Sequence, residues 1–291
     1  MDFPVKTGAP ARQRTDCAIL PVFDDRTLSG ATKDFDRATR GAIAKLVRAG
    51  DAPSRLGSVT LVHRTQGTAA TRWLHVGCGK RSDFTAKRFT TALGAAIHAL
   101  RSGGSKEATS YLGYETGLAA GDSARHSVET ARAGIYRFHE VKRRTDPPSR
   151  LARLGLGYPN GTAANDIRTG IKVGAAIAAG SDLARDLGNR PANVCTPSHL
   201  AEAARNIAKR FEGMEVKVLD EADMRRLGMG ALLSVTQGAD EPPRMIVLQY
   251  RGAGPKAAPI ALCGKGVTFD TGGISIKPAP KMDEMKFDMC G

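Results

Sequence analysis

The sequence predicts an α/β fold divided into two regions, and three observations support this. Short apolar runs of strand length alternate with longer segments whose apolar residues recur every three or four positions. This alternation is typical of α/β domains with a partly parallel sheet. A stretch rich in Pro, Gly and Arg separates two such regions, and 291 residues with 41% hydrophobic content are enough to bury two cores of ordinary size.

The N-terminal region contains one clear helix and several strand-length runs. In the predicted helix, Phe84–Arg101, the apolar residues Phe89, Leu93, Ile97 and Leu100 are spaced to form one buried face. The predicted strands are Cys17–Phe23, Ser58–His63 and Trp73–Cys78. Together these segments indicate a small α/β domain.

The segment RRTDPPSRLARLGLGYPNG, Arg143–Gly161, is dense in Pro, Gly and Arg and separates two periodic regions. Such composition is typical of a boundary between domains. We therefore expect one α/β domain over residues 1–160 and a second over residues 161–291.

The second region again combines helices with strands. Ile167–Leu187 is Ala-rich and predicts a helix that closes at Gly188 and Asn189. Thr196 is the expected N-cap of another helix, with Pro at its first position and its end near Phe211. Three strands are predicted after it: Glu215–Leu219, Arg244–Tyr250 and Pro259–Cys263.

Cysteine usage and hydropathy restrict the class of protein. The cysteines stand far apart and form no CxxC pair, which argues against a disulfide framework and favours a reducing cytosol: Cys17, Cys78, Cys195, Cys263 and Cys290. The N-terminus lacks the apolar core of a signal peptide, and no run of about 18 apolar residues occurs. We expect a soluble, cytoplasmic protein with no membrane segment.

The positive charge is concentrated in the N-terminal region. Residues 1–160 carry 26 Lys and Arg against 14 Asp and Glu, whereas residues 161–291 carry 17 against 15. A basic region of this kind either binds nucleic acid or another polyanion, or is a solvated basic surface. The tightest cluster is Lys142-Arg143-Arg144.

The segment GKGVTFDTGGISIKP, residues 264–278, directly follows the last predicted strand. It places Lys265, Asp270 and Lys277 on a loop that Gly272 and Gly273 make flexible. Ligands of open α/β sheets bind at the carboxyl ends of strands, so the loop is a candidate site.

Residue types alone leave several interpretations of this loop open. One is a solvated glycine-rich turn, and another is a phosphate-binding loop, although neither GxxxxGK[ST] nor GxGxxG occurs here. The third is a cation site, because Asp283, Glu284 and Asp288 follow closely and carboxylates are hard oxygen donors. Histidine-based zinc chemistry is disfavoured, because HExxH is missing and the six histidines stand singly.

The loop, followed by MDEMKFDMCG, resembles the metal-binding core of the leucyl aminopeptidase family, also called M17 or cytosol aminopeptidases. LARDLGNRPANVCTPSHLAEAA (183–204) and PPRMIVLQYRG (242–252) are similar to the same family. The resemblance covers most of residues 165–291, and the N-terminal region is loosely similar to the family's smaller α/β domain. It implies that the second region begins a larger α/β catalytic domain with a mixed sheet.

The resemblance also implies roles for individual residues. Lys265, Asp270 and Asp288 match metal ligands, Lys277 matches the catalytic lysine, and Lys277 and Met285 match positions that contact substrate. An amine binds metal only when neutral, so the pKa of Lys265 would have to fall far below about 10.4. Lys277 would instead remain an ammonium and stabilise an oxyanion.

The family pattern continues with an NTDAEGR segment that supplies two further carboxylate ligands and a catalytic arginine. No segment of this chain resembles it, so we expect a truncated member of the family that has little activity alone. The complete enzyme would hold two divalent cations, Mn²⁺ or Zn²⁺, and this chain at most one, weakly bound.

The implied activity is a hydrolase reaction that releases N-terminal amino acids, with a Leu-type preference, from peptides. The family also implies a homo-oligomer, usually a hexamer. The alternative is a non-catalytic nucleic-acid-binding or regulatory protein that uses the basic N-terminal domain.

Overall fold

The computed structural model of the protein describes residues 1–63, 66–141, 148–254 and 256–291. The chain forms two compact units: unit 1 comprises Met1–Arg137 and Arg144–Asp182, and unit 2 comprises Phe138–Arg143 and Leu183–Gly291. The basic cluster at 142–144 and the start of the predicted boundary stretch lie outside the described residues. A domain boundary between residues 160 and 161 therefore stays a prediction.

Unit 1 is built from short strands and amphipathic helices. Its strands are β1 (Val5–Lys6), β2 (Cys17–Phe23), β3 (Val59–His63), β4 (Arg72–Gly79), β5 (Glu107–Ser110) and β6 (Arg153–Gly157). Its helices are α1 (Gly30–Ala38), α2 (Ala42–Ala49), α3 (Ala86–Arg101), α4 (Ala120–Ile135) and the first part of α5 (Ala164–Asn189). The three strands and the helix predicted for this region are confirmed.

The strands of unit 1 form one mixed sheet in the order β1-β6-β5-β2-β4-β3. β2 is parallel to both of its neighbours, β4 and β5, and only the edge strand β3 is antiparallel to its neighbour. The chain leaves β2 towards β4 on one side and later returns to β5 on the other. The carboxyl ends of these three strands therefore meet at the point where the strand order reverses.

Every residue of β2 is buried, because both faces of the sheet are covered. Cys17, Ile19 and Phe23 belong to a core cluster that includes the apolar face of α3. The alternate residues Ala18, Leu20 and Val22 pack in a second cluster with Phe35 of α1 and with Ile43 and Val47 of α2. The α/β class predicted from the sequence is confirmed.

Unit 2 contains the end of α5 and several shorter elements. These are α6 (Pro197–Ala208), β7 (Met214–Leu219), α7 (Glu221–Arg226), α8 (Gly230–Ser234), β8 (Met245–Tyr250) and a 3-10 helix over Met282–Met289. β7 and β8 pair antiparallel. The Thr196 side chain accepts a hydrogen bond from the His199 amide, which confirms the predicted cap of α6.

The predicted strand Pro259–Cys263 is wrong. Residues 256–281 contain no strand or helix, and Ile260 and Leu262 are 90% and 93% exposed. A strand needs a hydrogen-bonded neighbour and a surface that covers its side chains. Among the described residues no segment pairs with this backbone, so the apolar run is exposed to solvent.

His75 is a buried polar side chain on β4, between β2 and the edge strand β3 of the unit 1 sheet. It pairs with Leu20 of β2 and Thr60 of β3, and its ring lies 6.2 Å from that of Trp73. His75 is 1% exposed, and neither ring nitrogen has a hydrogen-bond partner among the described residues. Burial lowers the pKa of His75 from 6.5 to about 4, so the fold favours the neutral ring.

We expect acid to destabilise unit 1 through His75. Because its pKa is lower in the fold than in the unfolded chain, the stabilisation is complete above about pH 6.5 and is lost as the pH falls towards 4. By about pH 5 the free energy of unfolding should drop by about 2 kcal/mol. Denaturant unfolding at several pH values, followed by Trp73 fluorescence, measures this loss.

A matched pair of variants isolates the histidine. His75→Leu should remove most of this pH dependence, whereas His98→Leu, at an exposed position of α3, should preserve it. The same pH dependence in the wild type and in His75→Leu would contradict the assignment.

Candidate metal centre

The loop between residues 264 and 278 folds back on itself through two glycines. Gly272 and Gly273 have positive φ angles of 94° and 67°, a conformation that other residues rarely adopt. A Cβ at Gly272 would collide with the Ser275 carbonyl. The turn closes with a 2.8 Å hydrogen bond from the Lys277 amide to the Thr271 carbonyl, which brings Lys277 back towards Asp270.

Asp270 accepts hydrogen bonds on both carboxylate oxygens. Lys277 Nζ lies 2.7 Å from Asp270 Oδ2, and the Gly272 amide donates to Oδ1 at 2.9 Å. These bonds, the one from Lys277 first, lower the pKa of Asp270 to about 2. Asp270 is therefore ionised throughout the neutral range.

Met285 and Asp288 come to the loop from the 3-10 helix. The Met285 sulfur lies 3.1 Å from Lys277 Nζ, and Lys265 Nζ forms an ion pair with Asp288 Oδ2 at 2.9 Å. The hydrogen bond to Asp288 raises the pKa of Lys265, to which the charge of Asp270 also contributes. The structure therefore brings all five sequence-predicted site residues into one cluster.

The remaining carboxylates of the segment do not join this cluster. Asp283 and Glu284 lie on the exposed side of the 3-10 helix, whereas Met282, Met285 and Met289 are half-buried. Met282 and Met285 are three residues apart and Met289 follows four residues later. Side chains three residues apart align in a 3-10 helix, so the methionines share one side of it and the two carboxylates lie on another.

A second glycine positions the 3-10 helix against the end of α5. A Cβ at Gly188 would come within 2.8 Å of Cys290 Sγ, and Lys286 Nζ donates to the Asn189 carbonyl at 3.4 Å. The sequence interpretation treated Gly188 and Asn189 only as a helix stop. Gly188 lies before the end of the helix rather than after it. This position was the sequence signal that could have predicted a close packing contact.

The number and type of ligand atoms in the cluster limit how many cations it can bind. Lys265, Asp270 and Asp288 offer one amine and two carboxylates. Within the described ranges no group of three or more His, Cys, Asp or Glu is arranged to hold a metal ion. Two carboxylates and one amine offer ligands for at most one divalent cation, provided that Lys265 loses its proton, and these residues supply no second bridging carboxylate.

Two family models match the chain. Residues 182–291 match the catalytic domain of the cytosol aminopeptidase family, and residues 19–145 match the N-terminal domain of the same family. The chain belongs to the cytosol aminopeptidase family. This confirms the resemblance seen in the loop and extends it to most of unit 1.

Curated relatives match the chain over its full length. It is 42% identical over 293 residues to the cytosol aminopeptidase of Pseudomonas aeruginosa. It is 39% identical over 295 residues to a probable cytosol aminopeptidase of Thioalkalivibrio sulfidiphilus. The chain spans 59% of the length of each of these relatives.

A solved structure has the same fold. The bottromycin maturation enzyme BotP in complex with Mn is 31% identical to this chain, with a TM-score of 0.72, and the match covers 95% of this chain and 53% of that one. Metal dependence is general in the family, and a divalent-cation site in this chain agrees with it. The roles of Lys265, Asp270, Lys277, Met285 and Asp288 stay predictions.

We expect the 291-residue chain to bind at most one divalent cation, with a dissociation constant of about 10⁻⁴–10⁻³ M, as for sites with few charged ligands. Calorimetric titration with Mn²⁺ measures both stoichiometry and affinity. Asp270→Asn should abolish binding, because it removes one of the two carboxylates of the cluster.

Asp283→Asn is the matched control, since Asp283 is an exposed carboxylate on the 3-10 helix that follows the loop. It should bind Mn²⁺ like the wild type. Two tight sites per chain, or unchanged binding in Asp270→Asn, would show that other ligands hold the metal.

Proposed function

We propose that this chain contributes the first part of an aminopeptidase site that releases N-terminal amino acids, with a Leu-type preference, from peptides. The observation that supports it most is the convergence of Lys265, Asp270, Lys277 and Asp288, in the order and spacing that the family resemblance assigns to its site. The proposed location is the cytoplasm, in line with relatives named cytosol aminopeptidases. Among the described residues, no helix is long and apolar enough to cross a membrane.

Three residues would hold the divalent cations, for which we propose Mn²⁺ or Zn²⁺. Asp270 and Asp288 provide carboxylates, and Lys265 provides an amine once it has lost its proton. Bound cations would supply Lewis-acid chemistry and an activated water. In the complete protein, further ligands are needed to hold two cations side by side.

Lys277 would act on the substrate. Its amine lies between the carboxylate of Asp270 and the sulfur of Met285, at 2.7 and 3.1 Å. An ammonium placed beside the scissile carbonyl stabilises the negative charge that develops on its oxygen. Met285 presents a flexible apolar surface next to it, suited to an apolar side chain of the substrate.

Substitution of the two lysines tests this division of roles. The variants are made in a chimera in which this chain is continued by the carboxy-terminal part of the Pseudomonas aeruginosa relative. Lys277→Ala should lower kcat by about 10²–10³ and leave the metal content intact, because its charge matters mainly in the transition state. Lys265→Ala should instead lower the metal content, with partial recovery in excess Mn²⁺.

Lys256→Ala, at an exposed position of the same region, is the control and should change neither rate nor metal content. If Lys277→Ala lost metal while Lys265→Ala kept it, the two roles would be reversed. If neither variant differed from the control, both residues would be solvated surface lysines. The DNA sequence beyond codon 291 gives a separate check, since an NTDAEGR-like segment there would supply the additional ligands.

Assembly into a homo-oligomer, a hexamer as in the family, is part of the same proposal. Sedimentation velocity of the chain and of the chimera would measure it separately. A monomeric chimera would contradict it.

A second candidate function is nucleic-acid binding by the basic N-terminal region, which the net charge of +12 over residues 1–160 favours. Some of this charge is neutralised internally, since Arg81, Arg125, Arg132 and Arg153 form ion pairs. If the region binds duplex DNA, retardation in gels should be clear at low salt and fall steeply as salt rises. No retardation at low ionic strength would exclude this function.

A further inference from the structure

A cluster of charged side chains lies at the carboxyl edge of the unit 1 sheet. Asp25 follows β2, Arg81 follows β4 and Glu115 follows β5, so each comes from one of the three strands that meet where the strand order reverses. In open α/β sheets this position is the usual place for a bound ligand. The cluster belongs to unit 1 and takes no part in the cation site described above.

Arg81 is held by oxygen atoms on all sides of its guanidinium. Its Nη1 lies 2.6 Å from Glu115 Oε2, its Nε lies 2.9 Å from Asp25 Oδ2, and its Nη2 donates to the Thr27 carbonyl at 3.0 Å. The guanidinium also lies 4.0 Å from the centre of the Phe23 ring. Arg81 is one-third exposed, so this cation is both fixed and accessible from solvent.

The N-terminus of α1 faces the same cluster without a cap of its own. Ser29 occupies the N-cap position, yet its side chain caps no amide of the helix and instead donates to Glu115 Oε2 at 2.7 Å. The first turn of α1 contains no acidic residue. The amide groups and the positive end of this nine-residue helix therefore lack a local anion.

Glu115 provides that anion from a distant part of the chain. Gly30, the first residue of α1, has a positive φ of 47°, and a Cβ there would collide with Glu115 Oε1. The carboxylate is thus packed directly against the start of the helix. Arg81 and the Ser29 hydroxyl both donate to Glu115 Oε2, and the start of α1 lies against Oε1.

The hydrogen bonding of the Glu115 carboxylate at this position is incomplete. Its side chain is 6% exposed, and Oε1 is buried without a hydrogen-bond partner among the described residues. A buried charged acceptor with no donor carries a free-energy cost. A tetrahedral oxyanion could distribute more oxygens over the same donors.

We infer that this corner is a phosphate-binding site that the chain's own Glu115 keeps filled. A phosphate group, free or as a monoester, would occupy the place of the Glu115 carboxylate and pair with Arg81, the Ser29 hydroxyl and the first amides of α1. In the wild type Glu115 competes with the ligand. Removing its carboxylate opens the site.

Thermal unfolding in sodium phosphate and in sodium chloride of equal ionic strength tests this inference, with Trp73 fluorescence as the signal from unit 1. Glu115→Ala should have a lower midpoint than the wild type in chloride, because Arg81 and α1 lose their anion. Inorganic phosphate should then raise the midpoint of Glu115→Ala by about 3 °C or more, saturably. The wild type should bind phosphate at least about ten times more weakly than this variant.

Two further variants make the result specific. Arg81→Ala combined with Glu115→Ala should lose the phosphate effect. Glu129→Ala, which removes a half-buried glutamate of α4 in the same unit, should respond to phosphate like the wild type. An equal response of every variant would show only general anion binding to a basic protein and would overturn the inference.

The remaining outcomes are also decisive. If Glu115→Ala is folded and phosphate acts no differently from chloride, the inference is wrong. If that variant is unfolded in chloride, phosphate should restore cooperative unfolding, and Glu115→Ser gives a second chance to observe this. Failure of phosphate to act on both variants overturns the inference and leaves the cation-site proposal unaffected.

Discussion

Burial of β2 on both faces is the constraint on which unit 1 depends. A strand with seven consecutive buried residues needs a partner strand on each side and a helical layer above and below. The chain meets this requirement by placing β4 and β5 on either side of β2 and by covering the two faces with α1 and α2 or with α3. The same arrangement brings the ends of three strands together, so the charged corner is a direct consequence of how the core is closed.

The two charged clusters of the protein differ in what supports them. Arg81 and Glu115 follow buried strands, and the flanking side chains Phe23 and Leu112 are part of the core. Lys265 and Asp270 lie on a loop whose neighbours are exposed, and the Lys265 side chain is itself 56% exposed. Sites with defined geometry need rigid support, so the loop cluster depends on its glycine turn and its ion pairs rather than on packing.

Sequence patterns were reliable where a single element determines its own structure. The periodicity of α3, the Thr196 cap and the strand predicted at Glu215–Leu219 follow from local sequence, and the structure agrees with each of them. The strand predicted at Pro259–Cys263 was wrong because apolar composition indicates only a need for burial. A strand also needs a neighbouring strand with which it can pair. The pairing of Lys265 with Asp288 and of Lys277 with Asp270 was also beyond a local pattern, since Lys277 reaches Asp270 through the turn at Gly272 and Gly273 and Asp288 reaches Lys265 from the 3-10 helix.

The ion pairs of the loop cluster explain how two carboxylates and two lysines can lie close together in the folded chain. Two carboxylates held close together repel each other, and two ammonium groups placed against them remove that repulsion. Asp270 and Asp288 each accept one lysine, so the cluster is neutral as a whole. If a cation bound here as proposed, Lys265 would have to lose its proton, because both carboxylates would be neutralised by the metal and an adjacent ammonium would become unfavourable. In the proposed site Lys265 would balance the charge of the two carboxylates in the absence of a cation and act as a ligand in its presence, which a residue without a dissociable proton could not do.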